Sequence, residues 1–284
     1  MRAGWAPDIR LVWCCLMGLQ AAGAQRELSA QQDVRADLLV SNRYVWRGIN
    51  RVTGWAAQLQ LGASTRLGPG TLGAGVVEVR ELFKAGSRDL TEVGVGRRGL
   101  GERNWWAEYR LPTPRVDLAA GAVRYTYHGE ATLGGRSPAD NTTEVYVAME
   151  APRTYLSPAL AAYWDVDRVR GAYLEASGRL PILGWPFPPE IFAYLDGAVG
   201  LSVGEDPNPA RPADLAYYGG DGPTHAQLGL SVDLKRSANV AVGGGLRFAV
   251  GLDDLARLGA GGRERNLFVS FWLGATLGAG LPAR

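Results

Sequence analysis

The chain has 284 residues, 39 of them glycine, and a formal net charge of +2. Its 30 basic and 28 acidic residues are too evenly balanced for a nucleic-acid binder, which carries a strong cationic excess. Beyond the N-terminus no apolar stretch is long enough for a membrane helix. A β-barrel stays open, because only every second residue of its strands meets lipid.

Residues 1–24 read as a secretory signal. Arg2 and Arg10 give a basic start, Leu11 to Leu19 an apolar core, and Ala22-Gly23-Ala24 the small residues of a cleavage site. The only cysteines, Cys14 and Cys15, lie inside this segment, and the bulky Trp13 before Cys14 argues against lipoprotein processing. Cleavage after Ala24 leaves a mature chain without a thiol, which excludes disulfides, zinc-thiolate sites and cysteine nucleophiles. A short periplasmic segment, 25–33, is expected next. A barrel over 34–278 and a tail over 279–284 follow it.

Alternation with a period of two runs through the rest and predicts an all-β chain. Strands are expected at 34–47, 55–66, 71–81, 104–111, 116–128, 142–150, 155–166, 170–180, 191–203, 223–234, 238–250 and 265–277. The clearest is Thr224–Leu234, which sets Ala226, Leu228, Leu230, Val232 and Leu234 against His225, Gln227, Gly229, Ser231 and Asp233. The segments reach about ten residues, the length of a tilted strand crossing a membrane. Tight turns at 67–70, 112–115 and 151–153 alternate with long Gly-, Pro- and Asp-rich loops at 129–141, 204–222 and 251–264. Tyr44, Trp46, Trp55, Trp105, Tyr109, Tyr125, Tyr127, Trp164 and Phe271 sit near strand ends, as interfacial aromatic girdles do. Asp89 to Arg98 could be a further strand. An even count favours an outer excursion over 82–103 and a transmembrane antiparallel barrel of about 12 strands. The proline-rich stretch 181–189 is long for a periplasmic turn.

Carried along the strands, the alternation puts Arg43, Arg47, Glu78, Arg80, Glu108, Arg110, Arg124, Glu144, Asp165, Glu175, Arg179, Asp196, Asp233 and Arg247 on the inward face. A charge facing lipid costs about 2–4 kcal/mol near the midplane, so these groups must face water or one another. They form either a charged constriction that orients polar solutes or an interior closed by mutual ion pairs.

The segment Asp37-Leu-Leu-Val-Ser-Asn-Arg-Tyr-Val-Trp-Arg-Gly-Ile49 resembles an early strand of the TorF family of outer-membrane porin-like proteins. Arg124-Tyr-Thr-Tyr-His128, Thr143-Glu-Val-Tyr-Val147, Tyr163-Trp-Asp-Val-Asp167 and Gly171-Ala-Tyr-Leu-Glu175 resemble later strands in the same order. The resemblance implies one outer-membrane barrel with a transport role and no catalytic residues. It also implies lipid and lipopolysaccharide around the barrel, dependence on the barrel-assembly machinery, and small solutes as cargo. Arg47-Gly48 reads either as a pore-mouth arginine or as a strand-end turn in which glycine permits an unusual backbone angle.

Two other classes compete with a channel. A lipid hydrolase would need a serine, a histidine and an orienting group together. Only His128 and His225 exist, and His128 has Ser137, Asp140 and Asn141 nearby in sequence. His225 shares a strand face with Asp233, but one histidine is too few for an ordinary metal site. No cofactor or metal is therefore expected. A structural or binding barrel acting through its outer loops is the other alternative.

Overall fold

The computed structural model describes residues 33–52, 54–82, 101–128, 141–185, 190–207, 217–235, 239–254 and 265–278. The expected signal segment 1–24, residues 83–100 of the expected excursion over 82–103, and the expected tail 279–284 lie outside them. The described residues form fourteen strands: β1 Asp33–Ser41, β2 Tyr44–Trp46, β3 Ile49–Val52, β4 Ala56–Leu67, β5 Gly70–Glu81, β6 Gly101–Pro112 and β7 Asp117–His128, then β8 Thr142–Glu150, β9 Ala159–Asp165, β10 Val169–Trp185, β11 Glu190–Pro207, β12 Gly222–Lys235, β13 Val240–Gly251 and β14 Arg265–Gly278.

Twelve of them close an antiparallel barrel in the order β1-β14-β13-β12-β11-β10-β9-β8-β7-β6-β5-β4. Each strand pairs with its sequence neighbours in the wall, and β1 closes the ring against β14 through Asp33↔Gly278 to Ser41↔Ser270. Closure leaves the wall no free sheet edge, the condition for strands to stand in lipid. The outward positions carry the apolar belt expected there. Leu59, Leu61, Val147, Leu160, Leu228, Leu230, Leu246 and Phe271 are all exposed on the outside.

Strands β2 and β3 are not part of the wall. They pair only with each other, through Tyr44↔Val52, Val45↔Asn50 and Trp46↔Ile49. Because Ser41 of β1 and Ala56 of β4 are already wall partners, residues 42–55 form an excursion within one wall connection. The excursion folds inward. Tyr44, Trp46, Arg47, Arg51 and Val52 are all buried. The expected strand over 34–47 therefore ends at Ser41. Asn42 stops it by exchanging bonds with Val269: its N–H donates to the Val269 carbonyl (3.2 Å) and its side-chain oxygen accepts from the Val269 N–H (2.9 Å).

Further boundaries differ: β6 begins at Gly101, inside the stretch expected to be an outer excursion, and β11 runs on to Pro207 rather than ending at 203. The 151–153 turn is an eight-residue connection, 151–158, so β9 begins at Ala159 rather than at 155. The proline-rich stretch is not one long turn. Strand β10 runs on to Trp185, and a register shift between Pro181 and Leu183 accommodates the ring that cannot donate to the ladder. The 112–115 turn lies at 113–116, between Pro112 of β6 and Asp117 of β7.

Candidate functional site, a plugged lumen

The inward hairpin turns at Arg47-Gly48, where both residues have positive φ, 47° and 80°. Two consecutive positive-φ residues mark the two-residue turn that matches the twist of a hairpin. Glycine is required at 48 for space as well, since a Cβ there would lie 2.3 Å from the Cβ of His225. Of the two readings of this pair, the turn describes the backbone, but the turn sits inside the lumen rather than at a strand end.

Side chains dock the hairpin against the wall. The Arg47 guanidinium donates two bonds to Glu144 on β8, at 2.8 and 2.7 Å, and both partners are 2% exposed. Its carbon lies 4.3 Å from the ring centre of Tyr173, 4.4 Å from Tyr163 and 4.7 Å from Trp46. Tyr125 donates to the same carboxylate at 2.9 Å, and Tyr218 donates to the Arg47 carbonyl at 3.1 Å.

A second pair lies beside the first. Arg51 donates to Glu102 on β6 at 2.8 Å and to the Tyr127 hydroxyl at 3.2 Å, with its guanidinium 3.9 Å from the Trp46 ring centre. Glu102 also accepts from Tyr44 and Asn104. Asn50 donates to Asn266 on β14 at 3.1 Å, and Val45 packs with Ala249 on β13 and Phe268 on β14. Tyr217 meets Trp46 edge-on and donates to Asp165, which Thr142 also supplies. The hairpin thus reaches wall residues on β6, β7, β8, β9, β10, β12, β13 and β14, spanning the barrel's cross-section.

Away from the hairpin the inner wall carries wall-to-wall pairs. Arg110 donates to Glu108 and Tyr146 supplies that carboxylate's other oxygen. Tyr173 donates to Glu175. Arg179 pairs with Asp196 at 2.8 Å, Ser231 donates to Asp196, and Trp272 donates to Asp233 at 3.0 Å. Trp272 lies flat on the wall over Gly243, where a Cβ would come within 2.3 Å of its ring.

Eleven of the fourteen sequence-selected charges point inward: Arg43, Arg47, Glu108, Arg110, Glu144, Asp165, Glu175, Arg179, Asp196, Asp233 and Arg247. Arg43, just before the hairpin, donates to Asn266. Glu78, Arg80 and Arg124 point outward and do not line the lumen. On β5 the inward residues at this level are Val77 and Val79, and on β7 they are Val123, Tyr125 and Tyr127, all within the cluster around Trp46. Glu78 instead pairs with Arg80 and Arg103, and Arg124 with Thr143 and Asp167, all on the outside of the wall. The cause is the hairpin. Where it fills the lumen, the inward positions of β5 and β7 are apolar and aromatic, and the charges of these two strands take the opposite face. Tyr44, Trp46, Tyr125 and Tyr127 are for the same reason lumenal core and not girdle residues, whereas Trp105, Trp164 and Phe271 are exposed on the outside.

Sequence reading missed Arg51, Glu102 and the hairpin itself. His128 ends β7 and is exposed, and Asn141 accepts a bond from the Tyr127 N–H. Ser137 and Asp140 lie outside the described residues. His225 is buried, stacked on Tyr173 with ring centres 6.3 Å apart, and its Nδ1 lies 3.1 Å from the Thr224 hydroxyl. Among the described residues no group of three or more His, Cys, Asp or Glu side chains is placed to hold a metal.

No protein-family model matches the chain, and no curated protein does. Solved structures are similar in fold. The COG4313 outer membrane channel from Pseudomonas putida F1 superposes with a TM-score of 0.54 at 10% identity, over 89% of this chain and 97% of that one. LpxR from Salmonella typhimurium (TM-score 0.46, 11% identity, 85% and 99% covered) and the KdgM porin (0.43, 10%, 86% and 97%) align more loosely. The chain has the fold of an outer-membrane β-barrel.

Proposed function

We propose that the protein is a channel of the bacterial outer membrane that passes small polar or charged solutes, with its lumen closed at rest by the hairpin at 42–55. The observation that carries this reading is the contrast between the two faces. Outside is an apolar belt, and inside are ion pairs and hydroxyls that only a water-accessible or plugged interior accommodates. The hairpin strands β2 and β3 are not part of the wall's ladder, so they can swing away while Asn42 and Trp55 at the base of the connection stay bonded to Val269 and Leu82. The motif resemblance to the TorF family points the same way. On this reading lipid and lipopolysaccharide surround the belt, the barrel-assembly machinery inserts the chain, and the channel uses no catalytic residue or cofactor.

The buried Arg47–Glu144 and Arg51–Glu102 pairs favour one other reading, a permanently closed barrel that binds through its loops. Purified, refolded protein in planar bilayers separates the two. The channel reading predicts discrete current steps above background. A folded, heat-modifiable barrel that never conducts, at any voltage the bilayer tolerates, supports the closed barrel instead.

A further inference from the structure

The socket that receives Arg47 is built almost wholly by the wall. Glu144 on β8 supplies a carboxylate with both oxygens turned to one guanidinium, and Tyr125 on β7 fixes that carboxylate. Tyr163 on β9 and Tyr173 on β10 present ring faces at 4.4 and 4.3 Å. Tyr146, Tyr163 and Tyr173 are direct cross-strand neighbours, with ring centres 5.4 and 5.9 Å apart. Only Trp46 would leave with the hairpin. A carboxylate fork flanked by aromatic faces recognises a planar, delocalised cation, and guanidinium matches it better than a compact ammonium does.

The charge of the interior points the same way. Among the described residues, eight buried carboxylates stand against four buried arginines, and two of those four, Arg47 and Arg51, belong to the hairpin. The half-buried wall arginines Arg35, Arg110 and Arg179 pair with Asp37, Glu108 and Asp196; setting aside Asp37 and Asp196, six buried carboxylates still stand against the two buried arginines outside the hairpin, Arg168 and Arg247. With the hairpin withdrawn, the wall holds an excess of negative charge, the lining of a cation path.

We infer that the Glu144 socket is a binding site for guanidinium-bearing solutes, and that such a solute opens the barrel by taking the place of the hairpin's own arginine. The binding half stands by itself, and the opening half rests on the channel reading above. Arg47 is then a tethered competitor. Its short tether gives it an effective concentration in the millimolar range, so a free solute displaces it at concentrations of about that order.

Two measurements test this separately. Calorimetric titration of methylguanidinium chloride into the refolded Arg47→Ala protein is expected to show saturable binding. Wild type should show at least tenfold weaker binding, and so should Arg47→Ala/Glu144→Gln. Heat-modifiable migration on gels confirms that each barrel is folded. No saturable heat in folded Arg47→Ala overturns the site. In planar bilayers, methylguanidinium should raise wild-type open probability while sodium and tetramethylammonium at equal ionic strength do not. An equal response to all three overturns the opening mechanism. Binding without any current overturns the channel reading and leaves the site standing. Should Arg47→Ala fail to fold, the wild-type bilayer comparison decides alone.

Discussion

Glu144→Ala tests whether side chains are what hold the hairpin in the lumen. The carboxylate accepts two bonds from Arg47 and one from Tyr125, and it is 2% exposed. Its removal leaves a guanidinium buried among ring faces without a counter-charge. Breaking one partner of a buried pair costs about 3–5 kcal/mol. At roughly 1.4 kcal/mol per factor of ten, the docked hairpin loses about two to three and a half orders of magnitude against the released one. The three-pair ladder of the hairpin offsets little, since an isolated two-stranded ribbon is marginal in water. Limited trypsin digestion reads the outcome, because the hairpin carries its own cleavage sites after Arg47 and Arg51. In wild type both bonds are buried and should resist. In Glu144→Ala, peptides ending at Arg47 and Arg51 should appear while the barrel still migrates as folded. Equal resistance of the two proteins at these bonds would refute the reasoning.

Three more predictions follow from the faces of the wall. Gly243→Val drives a side chain into the Trp272 ring and breaks its bond to buried Asp233. Overpacking costs about 1–3 kcal/mol and the lost charged hydrogen bond about 1.5–3 kcal/mol, so the urea midpoint of refolding into vesicles should fall clearly. The same change should cost less in a Trp272→Ala background. Arg124→Ala should leave ion selectivity unchanged, because Arg124 lies outside the wall beside Asp167 and Thr143. Glu108→Gln, on the inner wall, should shift the reversal potential toward anions.

The barrel was legible in the sequence because lipid imposes one rule on every strand. Thr224–Leu234 shows this: its apolar set faces out and His225, Gln227, Ser231 and Asp233 face in, in the register the alternation requires. The hairpin was not legible, because Tyr44, Val45 and Trp46 continue the same alternation beyond the residue where the strand ends. The signal was local and small. It consisted of Ser41-Asn42, two residues that compete for backbone bonds, and an Arg-Gly pair five residues on. The errors at Glu78, Arg80 and Arg124 descend from that omission. A charge is normally assigned to the inside of a barrel, but here the inside at that level was already occupied by Trp46 and its tyrosine neighbours. Glu102 gave no sign of its own, since only the returning Arg51 explains why a carboxylate stands there.

Excision of the hairpin tests the central claim most directly. Residues 42–55 can be replaced by a four-residue glycine-rich turn, because Ser41 and Ala56 are already paired in the wall. The account predicts a folded barrel that conducts steadily in planar bilayers, with larger unitary current and far higher open probability than wild type. A folded, excised barrel with no more current than the intact protein would contradict it.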